Sequence, residues 1–509
     1  VETRAGGTKH ETRIGLFVQL EACQWKDDGT QITLAVIGGQ IFTYDASGDS
    51  WTTAVSTANF SSAGITRTTT GRWFACTFNN AVVFSDGTNK PFTWDGTTGA
   101  GGLTLLSNAS GAWYGGPTVY YGKLFGILAS DRGTIEWSEE NAANTGYQAG
   151  GYNNSWTLGQ TGSAPLSIII GTNAFLYYFR DGSIGAISGA VTPDFATTGT
   201  HDAVSDAYGC RGASAATFYD AGTAQTRDPA IWFVNQLGRP MVLPIGARPI
   251  DLGEDMERRV YPNVQATNDP YGHWEIDVAA VTYNLSNANV AYLAVVYCAA
   301  WDAVCFFYPP NIGPGIFAAV YSVRTRRLMG YFTVVTDTMT AVGRVQVQAG
   351  TSSVSDTIMV LDGSGNAAVV RAGAFFSTGN VYRDELTAST RTPNYRMIGR
   401  RMVHDTQAGM HFDRFTLESR FSGLGLSWSA QFFTSERWNS SEAASAQSVT
   451  QDAGGADVQQ PRRYSLGLAQ YGRWIAPAIA LSTSAVSKEG RIYRYAVDAF
   501  VDAAEAEMV

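Results

Sequence analysis

Ile41-Phe42-Thr43-Tyr44-Asp45 returns fifty residues later as Pro91-Phe92-Thr93-Trp94-Asp95, and self-similarity on that scale is the mark of stacked, repeated sheets. Each copy ends a group of short apolar runs set apart by turn residues. Ahead of the first lie Leu20 to Trp25, the turn Asp27-Asp28-Gly29, the run Gln31 to Ile37 and the dipeptide Gly38-Gly39. Ahead of the second lie Gly64 to Thr69, Trp73 to Phe78, Asn79-Asn80, Ala81 to Ser85 and Asp86-Gly87. Gly, Asn and Asp at these points supply the positive φ that two-residue hairpins demand, so one period corresponds to one four-stranded antiparallel sheet.

Outward from this pair the residues diverge but the rhythm persists. Thr118 to Tyr121, Lys123 to Ala129 and Thr134 to Trp137 form a third group around Asp131-Arg132-Gly133. Leu166 to Ile170, Ala174 to Phe179 and Ser183 to Ile187 form a fourth around Asp181-Gly182, and Ala213 to Tyr219, Ala230 to Val234 and Pro240 to Leu243 a fifth. A sixth runs through Val278 to Leu285, Val290 to Tyr297 and Val304 to Tyr308; a seventh uses Val342 to Gln348, Thr357 to Leu361 and Ala367 to Val370. A lone sheet leaves a face uncovered, whereas radial stacking covers every face and removes the edges. No Pro/Ser-rich linker precedes Arg371, which argues against separate sandwiches. Residues 1–370 are therefore expected to form a β-propeller of six or seven blades.

From Arg371 onward the runs lengthen, as in Arg396 to His404, His411 to Phe421, Gly425 to Phe433, Tyr464 to Ala469, Trp474 to Ala480 and Arg491 to Phe500. Phe412, Phe415 and Leu417 interleave with Asp413, Arg414, Thr416 and Glu418, the half-buried pattern of an antiparallel sheet. Residues 371–509 are expected to be a β-sandwich platform. Asn439 to Gln460 and Glu139 to Ser163 read as long loops and contact surfaces. The one helix expected is Asp251 to Val260, capped by Asp251 and stopped by Pro262.

Composition agrees with an all-β chain. The 509 residues include 55 Gly, 24 Tyr, 25 Phe and 13 Trp, with only 16% charged; short, tightly turned strands with aromatic packing are built this way. The net charge of −9 opposes grip on nucleic-acid phosphates, which needs a basic stripe. Arg258-Arg259, Arg324 with Arg326-Arg327, Arg400-Arg401 and Arg462-Arg463 are scattered pairs, read as solvated faces or subunit contacts. Cys23, Cys76, Cys210, Cys298 and Cys305 show no CxxC spacing, so they are expected to be buried thiols, with Cys298 and Cys305 near each other across a hairpin. No signal or membrane-spanning segment is expected: Ala288 to Ala300, the longest apolar stretch, is too short to cross a bilayer.

No catalytic constellation is expected. His10, His201, His273, His404 and His411 form neither HxH nor HExxH; His404-Asp405 and His411 with Asp413 are the nearest approach to an acid–base group. Nucleophile elbows and phosphate loops are absent from the sequence. A glycosidase could draw Asp86, Asp95, Asp131, Asp181 and Asp362 from separate blades, yet each precedes a Gly within two residues and reads as a hairpin turn. A carbohydrate- or receptor-binding module would instead use Tyr147, Tyr152, Trp156 and Trp438 as stacking platforms. No cofactor or metal is expected.

The order of segments resembles the nozzle and propeller-type tail proteins of short-tailed bacteriophages. The resemblance rests on Ala5-Gly6-Gly7-Thr8-Lys9, Ser85 to Gly96, Tyr121-Gly122-Lys123-Leu124-Phe125-Gly126, Glu136-Trp137-Ser138 with Trp156, and Leu176 to Ile184. Tyr208-Gly209-Cys210 and Ile231 to Asn235 with Gly238-Arg239 extend it, and it spans most of residues 1–370. It implies a non-enzymatic virion protein, a ring of six copies at the tail end that conducts the genome during ejection. It also implies an adaptor ring, tail fibres and the host cell surface as partners, with DNA passing through the lumen without sequence-specific binding. An acidic wall suits such passage, because a basic one would retain phosphate.

Overall fold

A computed structural model describes residues 8–253 apart from 14–16, 25–30, 46–49, 70–72, 148–153, 160–163, 193–194, 211, 214–215 and 220–228; beyond 253 it describes 293–298, 302–308, 316–334 and the strands named below. The chain divides into two compact units. One comprises Lys9–Glu254 and Ala279–Arg371, the other Val1–Thr8, Asp255–Val278 and Ala372–Val509.

The larger unit holds seven antiparallel sheets among its described residues. The first runs Phe17–Gln24, Gln31–Ile37, Gln40–Asp45, Ser50–Val55, and the second Phe74–Phe78, Ala81–Ser85, Phe92–Trp94, Leu103–Leu105. The third runs Trp113–Tyr120, Lys123–Leu128, Thr134–Glu139, with both Ala142–Gly146 and Ser155–Thr157 paired to the last of these. The fourth is Leu166–Gly171, Leu176–Arg180, Ile184–Ser188, Thr200–Ser205; the fifth Ala216–Tyr219, Ala230–Val234, Pro240–Pro244, Ile250–Asp251. The sixth is Ala294–Cys298, Ala303–Tyr308, Ile316–Ser322, Leu328–Val334. The seventh takes Met339–Ala349, Ser353–Asp362 and Ala367–Ala372, and its fourth strand is Thr8–Arg13, from the other end of the chain.

First strands of successive sheets lie against each other from the first sheet to the fourth and from the fifth to the seventh, and that of the seventh lies against that of the first. The fourth and fifth sheets meet through Phe179 and Phe233, whose rings are 5.3 Å apart. The circle is thus closed, and the all-β propeller has seven blades.

Packing between sheets explains the continuous apolar runs. In Ala81–Ser85, Val82 and Phe84 join Leu34, Val36 and Ile41 of the first sheet, while Val83 turns to the third sheet with Trp113 and Leu124. Both faces are buried, so the period-2 alternation of a surface strand disappears. Trp73, Phe84, Phe92 and Phe60 stack and abut at 5.3–5.9 Å, and full burial of each ring stabilises by roughly 2–3 kcal/mol. Phe60 arrives on a short helix, Thr57–Ser62, which the sequence reading did not foresee. Its capping box uses Ser56 and Asn59, with Asn in the place usually held by Glu or Gln.

Several expectations are corrected. The repeated pentapeptide forms the third strand of its sheet, not the last: Ser50–Val55 and Leu103–Leu105 follow as outer edges. A three-residue edge strand carries too little pattern to be read. Asp251 ends the strand Ile250–Asp251, and its carboxylate pairs with Arg239 at 2.8 Å and accepts at 2.7 Å from the N–H of Gly253, where helical backbone begins. The remainder of that stretch, 254–260, and the run 278–285 lie outside the described residues. Glu139 to Ser163 is not all loop, since two of its segments are strands.

The smaller unit is a β-sandwich. Tyr395–Ile398 and Met402–Val403 pair with Trp474–Thr483, which pairs with Leu426–Ser435. Within Asn439 to Gln460, expected as loop, Glu442–Ala443 and Gln447–Val449 pair with the same strand. The second sheet centres on Met410–Phe421, flanked by Arg462–Gly472 and Gly490–Val501. Asp384–Leu386 and Ser389–Arg391 form a separate hairpin. Phe412, Phe415 and Leu417 are buried while Asp413 and Arg414 are exposed. Positions 412 and 415 would face opposite ways in a regular strand. The register slips between Phe412 and Arg414 against both neighbours, and the extra residue of that bulge brings the two rings to one side. Thr416, expected in solvent, is buried on the other face.

Candidate functional site: the two turn faces of the propeller

In each blade the turn between second and third strands lies at one end of the sheet, and the turn between first and second strands lies at the other. The first set, Gly38-Gly39, Asp86-Gly87, Asp131 to Gly133, Asp181-Gly182 and Asn235 to Gly238, carries Asp86, Asp131 and Asp181, three of the five carboxylates singled out in the sequence. Asp95 sits at the other end, where it accepts from the Thr97 N–H at 2.8 Å.

These turns bind the crossovers that link one blade to the next. Asp86 accepts from the Thr88 and Asn89 N–H groups of its own turn, at 2.9 and 2.7 Å, and from the Asn89 side chain at 2.8 Å. Its Oδ2 also accepts from the Thr68 N–H at 2.6 Å, on the crossover from the first blade. The neighbouring Arg67 donates back to Gly39 O in the first blade's turn at 2.5 Å and lies 4.5 Å from the Phe60 ring centroid. The crossover is therefore held from both sides. The same arrangement recurs three blades on, where the Cys210 N–H donates to Arg180 O, the Gly209 N–H donates to Gln236 Oε1, and Cys210 bridges Asn235. Ser85 donates to Gly115 O at 2.5 Å and Ser167 to Cys210 O, joining further neighbours. Arg132 donates through Nε and Nη2 to Leu166 O, with its Cζ 3.7 Å from the Tyr114 centroid.

Asp131 accepts from the Thr134 hydroxyl and the Gly133 N–H, which hold its carboxyl below the usual carboxylate range. Asp181 is exposed at its turn. Asp362 ends the second strand of the seventh sheet. The buried Glu136 accepts from the Ser110 N–H, the Ser110 hydroxyl and Trp113 Nε1, the last at 2.6 Å. Sequence reasoning missed Glu136, because an acid inside a strand leaves no local signal.

The first strands of the second to sixth sheets, FACTF, WYGGPTVY, LSIIIG, ATFY and AVVYC, contain no Asp, Glu, Lys, Arg or His. Among the described residues no group of three or more His, Cys, Asp or Glu side chains could hold a metal, and no helix is long and apolar enough to cross a membrane. His201 lies on an outer strand, bonded through Nε2 to the Tyr178 hydroxyl. His411 lies in the sandwich; His404 and His273 fall outside the described residues.

The stacking platforms are only partly as expected. Tyr147 is wholly buried against Trp113, its hydroxyl donating to Ala143 O at 2.6 Å, and burial and the Glu136 charge push its pKa up. It is a core residue and cannot receive a ligand. Trp156 is half-buried against Phe195 and His201, while Tyr152 and Trp438 fall outside the described residues. Cys210, Cys298 and Cys305 are buried and form no disulfide. Cys298 faces Ala303 and Cys305 faces Val296.

Fold and turns together define a closed propeller with an attached β-sandwich. No protein-family model and no curated protein matches the sequence. Among solved structures, apo AztD from Citrobacter koseri aligns at 11% identity and a TM-score of 0.36, over 73% of this chain and 99% of that one. A quinonprotein alcohol dehydrogenase-like protein from Bacteroides thetaiotaomicron aligns at 9% and 0.33, over 62% and 66%. A glycoside hydrolase aligns at 9% and 0.25, over 95% and 98%. The blade assignment rests on strand pairing and not on these likenesses.

Proposed function

We propose that this chain is a structural subunit of a short-tailed phage tail, a nozzle or tail-tip ring that conducts the genome into the host. One observation carries the reading: Asp86, a carboxylate the sequence offered as chemistry, serves as a tie to Thr68, and Arg67 ties the same crossover to Gly39. The uncharged first strands of the second to sixth sheets point the same way, since work of this kind is geometric. The segment order from Ser85 to Arg239 supports the assignment to tail nozzles. The net charge of −9 suits a wall past which phosphate slides.

In this reading six copies form the ring, stacked on an adaptor ring and met by tail fibres, in the virion. Negative-stain imaging of the purified protein tests it: hollow rings of about six subunits are expected, and monomers at micromolar concentration would overturn it. The assembled ring should not retard duplex DNA at low salt, where a basic lumen would.

A further inference from the structure

The opposite turn face, between first and second strands, has a different chemistry. Across the second and third blades it presents Asn79-Asn80, Tyr121-Gly122 and Glu140-Asn141, all exposed except the half-buried Gly122. They are contiguous: Asn79 Nδ2 donates to Asn141 O at 2.8 Å, and the Asn141 N–H donates to Gly122 O at 2.9 Å. A Cβ on Gly122 would lie 3.3 Å from Glu140 Cγ and 3.9 Å from Asn141 Oδ1. Below them Tyr120 is buried, its hydroxyl donating to Gly189 O of the fourth blade at 3.2 Å.

Tyr121 stands out twice. It is 53% exposed, one of few large apolar side chains in solvent among the described residues. It also takes φ +49° in the two-residue turn between the paired Tyr120 and Lys123, with Gly122 at +66°. That turn favours Asn or Asp before Gly, and a bulky aromatic there is strained. The ring is fixed edge-on against Tyr120 at 4.8 Å. Stability alone would select neither the residue nor its exposure.

We infer that Tyr121, with the Asn79 and Asn141 amides and the Glu140 carboxylate, forms a binding site for a neutral or amino sugar. A rigid ring offers a stacking face to the apolar side of a pyranose. Gly122, next to Tyr121 in the chain, lies against the Glu140-Asn141 turn, whose amide and carboxylate can pair with sugar hydroxyls. The Glu140 carboxylate disfavours uronic and sialic acids by like-charge repulsion. A protein partner fits less well, since a stable interface needs on the order of 800 Å² per side with several apolar anchors, and this patch holds one. The inference does not depend on the tail assignment.

The test uses the full chain and Tyr121→Asn, which restores the preferred Asn-Gly turn, so the variant should melt no lower than the parent. Saturation-transfer NMR and calorimetry would be run with methyl glucoside, methyl galactoside, N-acetylglucosamine, glucosamine and a methyl glucuronide. Millimolar binding of one or more of the first four, none of the glucuronide, and roughly tenfold weakening in Tyr121→Asn is the expected result. Absence of binding by all four, or binding that Tyr121→Asn leaves unchanged, would overturn it. If no sugar binds and the variant instead loses assembly seen in the parent, the patch is a contact between copies and the sugar site is refuted.

Discussion

Replacing Asp86 by Asn separates the two tasks of its carboxylate. As a turn residue Asn is as good as Asp, because Asn-Gly is itself a favoured hairpin dipeptide. As a tie it fails. The carboxylate accepts from Thr88 and Asn89 N–H on one oxygen and from Thr68 N–H and Asn89 Nδ2 on the other, and an amide has only one oxygen. Either rotamer turns an NH₂ against an N–H donor. A charge-assisted hydrogen bond contributes about 1.5–3 kcal/mol and an orphaned buried donor costs about 1–3, so Asp86→Asn should lose about 3 kcal/mol. With a urea slope of about 3 kcal/mol/M, the unfolding midpoint drops by about 1 M. Tryptophan fluorescence would follow it, because Trp73 Nε1 donates to Thr68 O, and the Thr68 amide should lose hydrogen-exchange protection. A midpoint within about 0.2 M of the parent, with Thr68 still protected, would refute the tie and leave Asp86 an ordinary turn.

Gly126→Ala should cost about 3 kcal/mol or yield insoluble protein, because its Cβ would fall inside the Trp113 indole; Gly101→Ala, where a Cβ meets nothing within 4 Å, should be near neutral in the same melts. Burial pushes the Cys210 thiol up to about 12 from its ordinary 9.0. The unfolded chain releases that proton first, so this contribution is intact below pH 9 and is lost between pH 9 and about 12, by up to about 1.4 kcal/mol per pH unit. Cys210→Ala should flatten that limb of a stability–pH curve. Glu136→Ala strands the Ser110 and Trp113 donors and should destabilise by about 3–5 kcal/mol in the same melts.

Blade existence was legible where turn chemistry and strand length were strong. Ala81 to Ser85 and Leu176 to Phe179 announce themselves as apolar runs between Asx–Gly turns. Leu103–Leu105 and Ile250–Asp251, outer edges of three and two residues, hold no period to detect. The circular order was inferred from the repeat, but the identity of the seventh sheet's fourth strand was not, because pairing between residues so distant in the chain leaves no local trace. Asp86 was read correctly as a turn and incompletely as a tie, for its partner Thr68 contributes a backbone N–H that no side chain advertises. Tyr147 illustrates the reverse error: an aromatic in polar sequence looked exposed, yet the short strand Ala142–Gly146 folds it onto Trp113.

Thr8–Arg13 pairs with Ala367–Ala372, made more than three hundred residues later. Until that partner has been synthesised the strand is an unmatched ladder, and the seventh blade cannot lock. Deleting the first thirteen residues would leave the blade with three strands and a bare edge, a template for sticking to another molecule, so the damage should surface as clumping during expression before any loss of activity is measured.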